Sequence, residues 1–434
     1  MRLIELIHAL EELQTTCDAC NRCGMCQAVC PLFKETGREG DVARGKLSLI
    51  DGLRQELLTR PDRVLQRLNR CLLCGACERN CPRKLNLVDV FVKARLIITG
   101  YSGLAAHKKL IFRVLLGHPK LFDKATGILS MLQQAMDGSG PGTDSWKNIV
   151  KHIPFLKERH IIPLARRSFH TRMKNEGTFN TERSVLFFTG CLIDKMMPDV
   201  GVACISVLKR IGVDVQLLEN EPCCGIPALA SGDSLGFDQL LVRNLDAISR
   251  HSFDVMVTAC ATCTMTIHDF WPKMHHGGDE IGKRALDAAG RVMDINGYVL
   301  TRTDIVRIIR EKSGHKPLNN LKTLTFHEPC HLKKGDVSGR IRDLLKNLPG
   351  YRYVETREPG ACCGMGGSFN LTHYGLSRAI GGKKARNIVE SGAEIVCTAC
   401  PACMMQLKDM MHQIGSTVEV KHVMEILAEI LNSE

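Results

Sequence analysis

Eighteen of the chain's 21 cysteines fall into two spacing patterns, each present twice, and no other feature of the 434 residues restricts the fold as tightly. The first pattern is a compact run with gaps of two, two and three residues that ends in proline. It reads Cys20, Cys23, Cys26, Cys30-Pro31 and again Cys71, Cys74, Cys77, Cys81-Pro82. The second pattern is dispersed: a single cysteine, a Cys-Cys-Gly after 31 intervening residues, then a Cys-x-x-Cys. One copy is Cys191, Cys223-Cys224-Gly225, Cys260 and Cys263; the other is Cys330, Cys362-Cys363-Gly364, Cys400 and Cys403.

A secreted disulfide scaffold would also be rich in cysteine, but such chains are short and follow a signal peptide. Met1 to Gln14 is instead an acidic-to-neutral amphipathic helix, so the thiols read as metal ligands in a cytosolic protein. In the compact run, three thiolates on one tight loop reach three corners of a 4Fe-4S cube, while the fourth is carried by the following helix to the other cluster. Cys20, Cys23, Cys26 and Cys81 are therefore assigned to one cubane, and Cys71, Cys74, Cys77 and Cys30 to a second. Zinc also uses Cys-x2-Cys pairs, but a zinc ribbon takes two pairs, whereas each run here offers three cysteines in a row and a proline-marked fourth.

The rest of the chain is organised around these patterns. Residues 1–100 alternate short helices with cysteine loops, the helices spanning Asp41–Leu58, Pro61–Arg70 and Leu85–Ile98, and form a helical ferredoxin-like domain. Residues 101–182 read as a basic, mostly helical connector broken at Gly138-Ser139-Gly140-Pro141-Gly142, the best candidate for a flexible stretch. From Arg183 the pattern changes to alternating strands and helices, and it does so twice, over 183–316 and 317–434. Strands Ser184–Thr189, Val213–Leu218 and Asp254–Thr258 lead into the cysteines of the first copy. Leu321–Phe326, Tyr351–Glu355 and Glu394–Thr398 do so in the second, and Thr258-Ala259-Cys260 matches Thr398-Ala399-Cys400. The fold class is thus a helical 2x4Fe-4S domain followed by a duplicated α/β Cys-Cys-Gly domain.

Each dispersed cysteine group sits at the carboxyl end of a strand and before a helix, so its thiolates converge on the crevice where open α/β sheets bind ligands. Helix N-termini there favour thiolates and an anionic cluster. Five cysteines per copy exceed the four of a cubane. The surplus implies either a larger, irregular iron-sulfur assembly or a cubane with a spare reactive thiolate. Cys204 reads as core, Cys397 lies within a strand facing away from Cys400, and Cys17 falls outside the register set by Pro31. Gly364-Met365-Gly366-Gly367 lacks the full dinucleotide fingerprint and reads as a turn that lets backbone approach the cluster. His327 and His331 flank Cys330 as candidate donors to a cluster or proton carriers; no flavin or nicotinamide fingerprint and no catalytic triad or carboxylate pair is visible.

The net charge is +12, and between Tyr101 and Arg183 fourteen basic residues face six acidic ones. Such a segment suits an anionic membrane surface or an acidic partner. Nucleic acid fits less well, because the basic residues are interleaved with aliphatics and only 5% of the chain is aromatic. No apolar run is long enough to cross a bilayer: LIFRVLL is broken by Arg113 and VFVKARLII by Lys93 and Arg95.

The arrangement of two ferredoxin-type runs and two Cys-Cys-Gly units resembles the iron-sulfur subunits of glycolate oxidase and of membrane-associated lactate dehydrogenases, and the fused iron-sulfur subunit of heterodisulfide reductase. The likeness covers nearly the whole chain, including Arg44-Gly45-Lys46 and the segment from Cys362 to His373, which is of the glycolate oxidase type. Glycolate oxidase subunits often lack the first cysteine of the Cys-x-x-Cys pairs. Cys260 and Cys400 are present here, as in heterodisulfide reductase, whose Cys-Cys-Gly domains hold noncubane 4Fe-4S clusters. The resemblance implies an electron-relay subunit of a flavin-dependent 2-hydroxyacid dehydrogenase, with an FAD-binding partner subunit and a quinone or other carrier as acceptor, peripheral on the inner face of the cell membrane. Its alternative is disulfide reduction at a noncubane Cys-Cys-Gly cluster. Either way it implies two cubanes and one or two further iron-sulfur clusters.

Overall fold

The structure, a computed structural model, describes residues 3–137, 158–174, 184–274, 278–313, 321–333 and 335–432; the Gly138 to Gly142 breaker lies outside them. The chain divides into two compact units. The first comprises Met1–Val114, Gly225–Gln239 and Ala361–Lys384; the second comprises Leu115–Cys224, Leu240–Gly360 and Ala385–Glu434.

The first unit is helical. Helix Ala43–Arg54 buries Ala43, Leu47, Ile50 and Leu53, a spacing of three and four residues that makes one apolar stripe. Pro61–Asn69 starts on its proline and buries Val64 and Leu68. Leu87–Ser102 buries Val90, Phe91, Ala94 and Ile98 and runs four residues beyond the end expected from sequence, to Gly103 at φ +80°. These helices pack on one another, and Ala43–Arg54 and Leu87–Ser102 also pack on Leu3–Leu10.

The second unit contains two four-stranded parallel sheets. The first is built from β1 (Ser184–Phe187), β2 (Asp214–Leu217), β3 (Val255–Thr258) and β4 (Val292–Asp294) in the order β2-β1-β3-β4. The second repeats it with β5 (Lys322–His327), β6 (Tyr351–Tyr353), β7 (Ile395–Thr398) and β8 (Glu419–His422) in the order β6-β5-β7-β8. The central strands are buried on both faces, and β1 is mostly apolar, as Val185, Leu186 and Phe187 show, because helices cover both faces of a parallel sheet. The chain leaves β1 toward β2 on one side and returns to β3 on the other, so the carboxyl ends of β1 and β3 flank the switch point of the sheet. β5 and β7 do the same in the copy. The repeats meet where the Cys-x-x-Cys segments begin: the Ala261 N–H donates to the Ala399 carbonyl at 3.3 Å, and His422 Nε2 lies 3.1 Å from the Ala259 carbonyl.

Candidate metal centres

In the first unit the two compact runs adopt the same local backbone. Arg22 (φ 54°) and Gly24 (φ 83°) bracket Cys23 in left-handed conformations, as Leu73 (φ 55°) and Gly75 (φ 68°) bracket Cys74. A left-handed Leu73 is strained, and such strain persists where the surrounding structure needs the loop. A short helix follows each loop, Met25–Val29 and Ala76–Arg79. Two cysteine-walled hollows result. Cys20, Cys23, Cys26, Cys77 and Cys81 line one; Cys30, Cys71, Cys74 and Cys77 line the other. Cys30 begins helix Pro31–Thr36, and its sulfur accepts the Phe33 N–H at 3.5 Å. Cys17 lines neither hollow; its sulfur faces the Leu47 carbonyl, and burial and then Asp51 push its thiol up to about 11.

Arg95, which in the sequence is only an interruption of an apolar run, is 2% exposed. Its Nη2 donates to the Leu68 carbonyl at 2.6 Å and the Cys71 carbonyl at 2.7 Å, and its Nη1 to the Ala230 carbonyl at 2.7 Å. Cys362 and Cys363 also belong to this unit. Cys362, Cys30 and Cys74 all pack against one apolar cluster of Leu32, Leu72, Phe369 and Ile380. The glycine turn after them is built for packing: a Cβ on Gly364 would lie 2.6 Å from the Ser377 carbonyl, and one on Gly366 would lie 3.2 Å from Leu72 Cα.

The second unit holds the remaining eight candidate cysteines. Cys191 Sγ lies 3.8 Å from Cys223 Sγ. Cys263 is close enough to Cys224 and Cys260 for the thiols to shift one another, as is Cys260 to Cys400 and Cys400 to Cys403. A continuous row of thiols therefore joins the two repeats, with Thr262 Oγ1 3.6 Å from Cys400 Sγ. Its backbone is pinned by distant side chains. Asn244 Nδ2 donates to the Cys223 carbonyl and Trp271 Nε1 to the Cys224 carbonyl, both at 3.0 Å. Gly190 (φ 77°) permits the close approach, since a Cβ there would sit 3.2 Å from Cys263 Sγ. The Glu221 carboxylate accepts the Thr189 and Gly190 N–H groups at 2.8 and 2.6 Å, and burial pushes it up to about 7. Cys330 opens the turn Cys330–Leu332. His331 Nδ1 lies 3.1 Å from Thr262 Oγ1, whereas His327 is fully buried at the end of β5. Cys204 and Cys397 are buried in the core, the Cys397 sulfur against the Thr325 carbonyl at 3.4 Å.

A cleft of about 670 Å³ opens beside Cys191 and Cys223. It contains a charge cluster that no motif announces: His170 Nδ1 lies 3.0 Å from Asp194 Oδ1, and Lys195 Nζ 2.5 Å from Asp194 Oδ2. Burial alone would raise Asp194, but His170 and Lys195 outweigh it and hold the carboxyl well below its usual range.

Iron-sulfur clusters suit this donor set. Burial, then Cys71, Cys74 and Cys30, push Cys77 far up; hydrogen bonds from Cys191 and Cys224, then burial, do the same to Cys223. Thiols so crowded cannot all ionise alone, and bound iron supplies the compensating charge. The buried hydroxyls of Thr189, Thr258 and Thr398, each within two residues of a candidate cysteine, have no partner among the described residues, and an anionic, sulfur-rich group would accept from them.

Fold and site together define a protein that carries electrons on iron-sulfur clusters. Residues 16–85 match a 4Fe-4S dicluster domain, and residues 185–268 and 324–408 each match a cysteine-rich domain. A fumarate reductase (CoM/CoB) subunit of Methanothermobacter marburgensis is 28% identical over 94% of this chain and 71% of its own length. The "Probable glycolate oxidase iron-sulfur subunit" of Bacillus subtilis is 25% identical over 94% and 93%. A dihydromethanophenazine:CoB--CoM heterodisulfide reductase subunit of Methanosarcina barkeri is 24% identical over 95% and 94%. The chain therefore carries one 4Fe-4S dicluster domain and two cysteine-rich domains, and it is similar over nearly its whole length to iron-sulfur subunits of oxidoreductase complexes.

Proposed function

We propose that the chain is the electron-relay subunit of a flavin-dependent 2-hydroxyacid dehydrogenase acting on lactate or glycolate, with substrate oxidation on a separate FAD subunit. In this reading Cys20, Cys23, Cys26 and Cys81 hold one cubane, Cys71, Cys74, Cys77 and Cys30 hold the second, and the cysteines of the Cys-Cys-Gly repeats hold one or two more clusters. Such clusters supply one-electron transfer, at potentials set by charge, hydrogen bonds and solvent exposure. The observation that carries the reading is the shared apolar cluster. Leu32, Leu72, Phe369 and Ile380 hold Cys362 against the same side chains that touch Cys30 and Cys74, and so keep water from between the dicluster part and a Cys-Cys-Gly cysteine. The near full-length likeness to the Bacillus subtilis protein supports the substrate class.

The acceptor is a quinone or another carrier. The cleft beside Cys191 and Cys223 supports an acceptor near the end of the relay. Helix Pro119–Asp137 exposes Leu121, Ile128, Leu129, Met131 and Leu132. With Lys120 and Lys124 nearby, these support a cytoplasmic chain seated peripherally on the inner membrane face. No helix among the described residues is long and apolar enough to cross a membrane.

The closeness of Cys260 and Cys400 favours a second reading, reduction of a disulfide substrate to two thiols at a noncubane Cys-Cys-Gly cluster, with two electrons delivered singly through the clusters and two protons from solvent. Anaerobic copurification decides between them. The first predicts a flavoprotein partner and bleaching of cluster absorbance by lactate or glycolate. A complex without flavin that does not bleach would refute it, and turnover of disulfides by reduced protein would establish the second.

A further inference from the structure

We propose that His327 donates a ring N–H hydrogen bond to the iron-sulfur cluster of the second Cys-Cys-Gly repeat and raises that cluster's reduction potential. This inference rests on the reading that the second repeat holds a cluster.

His327 is the last residue of β5, in register with Thr398 of β7, at the switch point of the second sheet. It is 0% exposed, and neither ring nitrogen has a hydrogen-bond partner among the described residues. A ring nitrogen lies within 4.8 Å of Cys403 Sγ. The contrast with His422 is informative. That imidazole is equally buried, but one nitrogen meets the Ala259 carbonyl and the other accepts the Met424 N–H, so its hydrogen bonds are complete. A buried imidazole with both nitrogens unmatched is costly, and no described residue supplies the acceptor that its N–H needs.

The first repeat shows that the fold does not need an imidazole here. Phe188 stands three residues before Cys191 as His327 stands three before Cys330. Phe188 is also 0% exposed and packs edge-on against Trp271 at 6.4 Å. One repeat thus presents an apolar ring at the strand end and the other a hydrogen-bond donor.

Donation fits better than ligation of iron. A histidine that binds a metal donates its other N–H to a carbonyl, a carboxylate or water, and His327 has no protein group for that among the described residues. Ligation would leave a buried N–H unpaired, whereas donation leaves only a lone pair, the lesser fault. Hydrogen bonds to cluster sulfurs stabilise the reduced, more negative state and raise the potential.

The test uses the full chain, purified anaerobically with 15N-histidine and reduced in steps, with pulsed EPR and iron and sulfide analysis. The expected result is a weak 15N coupling in the wild type that is absent in His327→Phe at unchanged iron content. At a fixed poise, the reduced-to-oxidised ratio of one cluster should fall about tenfold in that variant, a shift of 59 mV for one electron. His327→Asn, whose amide can still donate, should recover part of the shift. A wild type with filled sites and no histidine coupling overturns the proposal without any variant. A strong coupling with iron lost in His327→Phe overturns it in favour of ligation. Iron and sulfide too low to fill the second repeat would instead refute the reading beneath it.

Discussion

Replacing Arg95 with glutamine should lower the potential of the cubane held at Cys71. The guanidinium is buried, touches the Cys71 carbonyl, and forms no ion pair with a carboxylate among the described residues, so its charge acts on the cluster with little compensation. One unit charge at roughly 7 Å in an effective dielectric of about 20 contributes about 2 kcal/mol, or about 100 mV for one electron. A lost positive charge disfavours the reduced state, so the shift is downward. The Leu68, Cys71 and Ala230 carbonyls also lose donors at about 1 to 3 kcal/mol each, so iron content must first show the cluster intact. The assay is an EPR-monitored redox titration of wild type, Arg95→Gln and Arg95→Lys, the last keeping the charge. An unmoved potential in Arg95→Gln, or an equal fall in Arg95→Lys, would refute the electrostatic reasoning.

On the proposed assignment, Cys81→Ser should remove about four irons per chain and leave the other cubane's EPR signal, because Cys81 would be the fourth ligand in the hollow lined by Cys20, Cys23 and Cys26. Gly190→Ala should destabilise the chain by about 1 to 3 kcal/mol in denaturant titration, since its φ of 77° with ψ of 150° is open only to glycine and Cys263 Sγ lies 3.2 Å from the new methyl. Burial pushes His422 down to about 4, so it stays neutral in the folded state. Its contribution is complete above about pH 6.5 and is lost as the pH falls through about 4, a change of about 3 kcal/mol that His422→Gln should abolish in denaturation midpoints across that range. Cys204→Ala should leave iron content unchanged and cost about 1 kcal/mol in the same titration, because Cys204 is core.

The compact runs are legible in the sequence because their ligands are close together and glycine and proline mark the loops. β1, β3 and β7 are legible because each is a short, largely apolar run that ends two to four residues before a cysteine, whereas β2 and β6 are more polar and end further from Cys223 and Cys362. β4 and β8 are not legible, because no cysteine motif marks the end of Val292–Asp294 or Glu419–His422, and pairing with β3 and β7 identifies them as strands. Arg95 looks like a polar break in an apolar segment, and only tertiary contacts with Leu68 and Ala230 reveal its burial. The sequence does not show that Cys362 also packs on the apolar cluster that touches Cys30 and Cys74, because that contact needs Leu72 and Phe369 to meet across nearly three hundred residues. His170, Asp194 and Lys195 converge only through the fold and carry no motif.

Metal and sulfide analysis of anaerobically purified full-length protein, with EPR after dithionite, tests the central claim most directly. Sulfur-bound iron clusters on these thiols predict brown protein with at least about eight irons, matching sulfide, and paramagnetic signals on reduction. Colourless protein rich in zinc, with no signal after dithionite, would contradict the account.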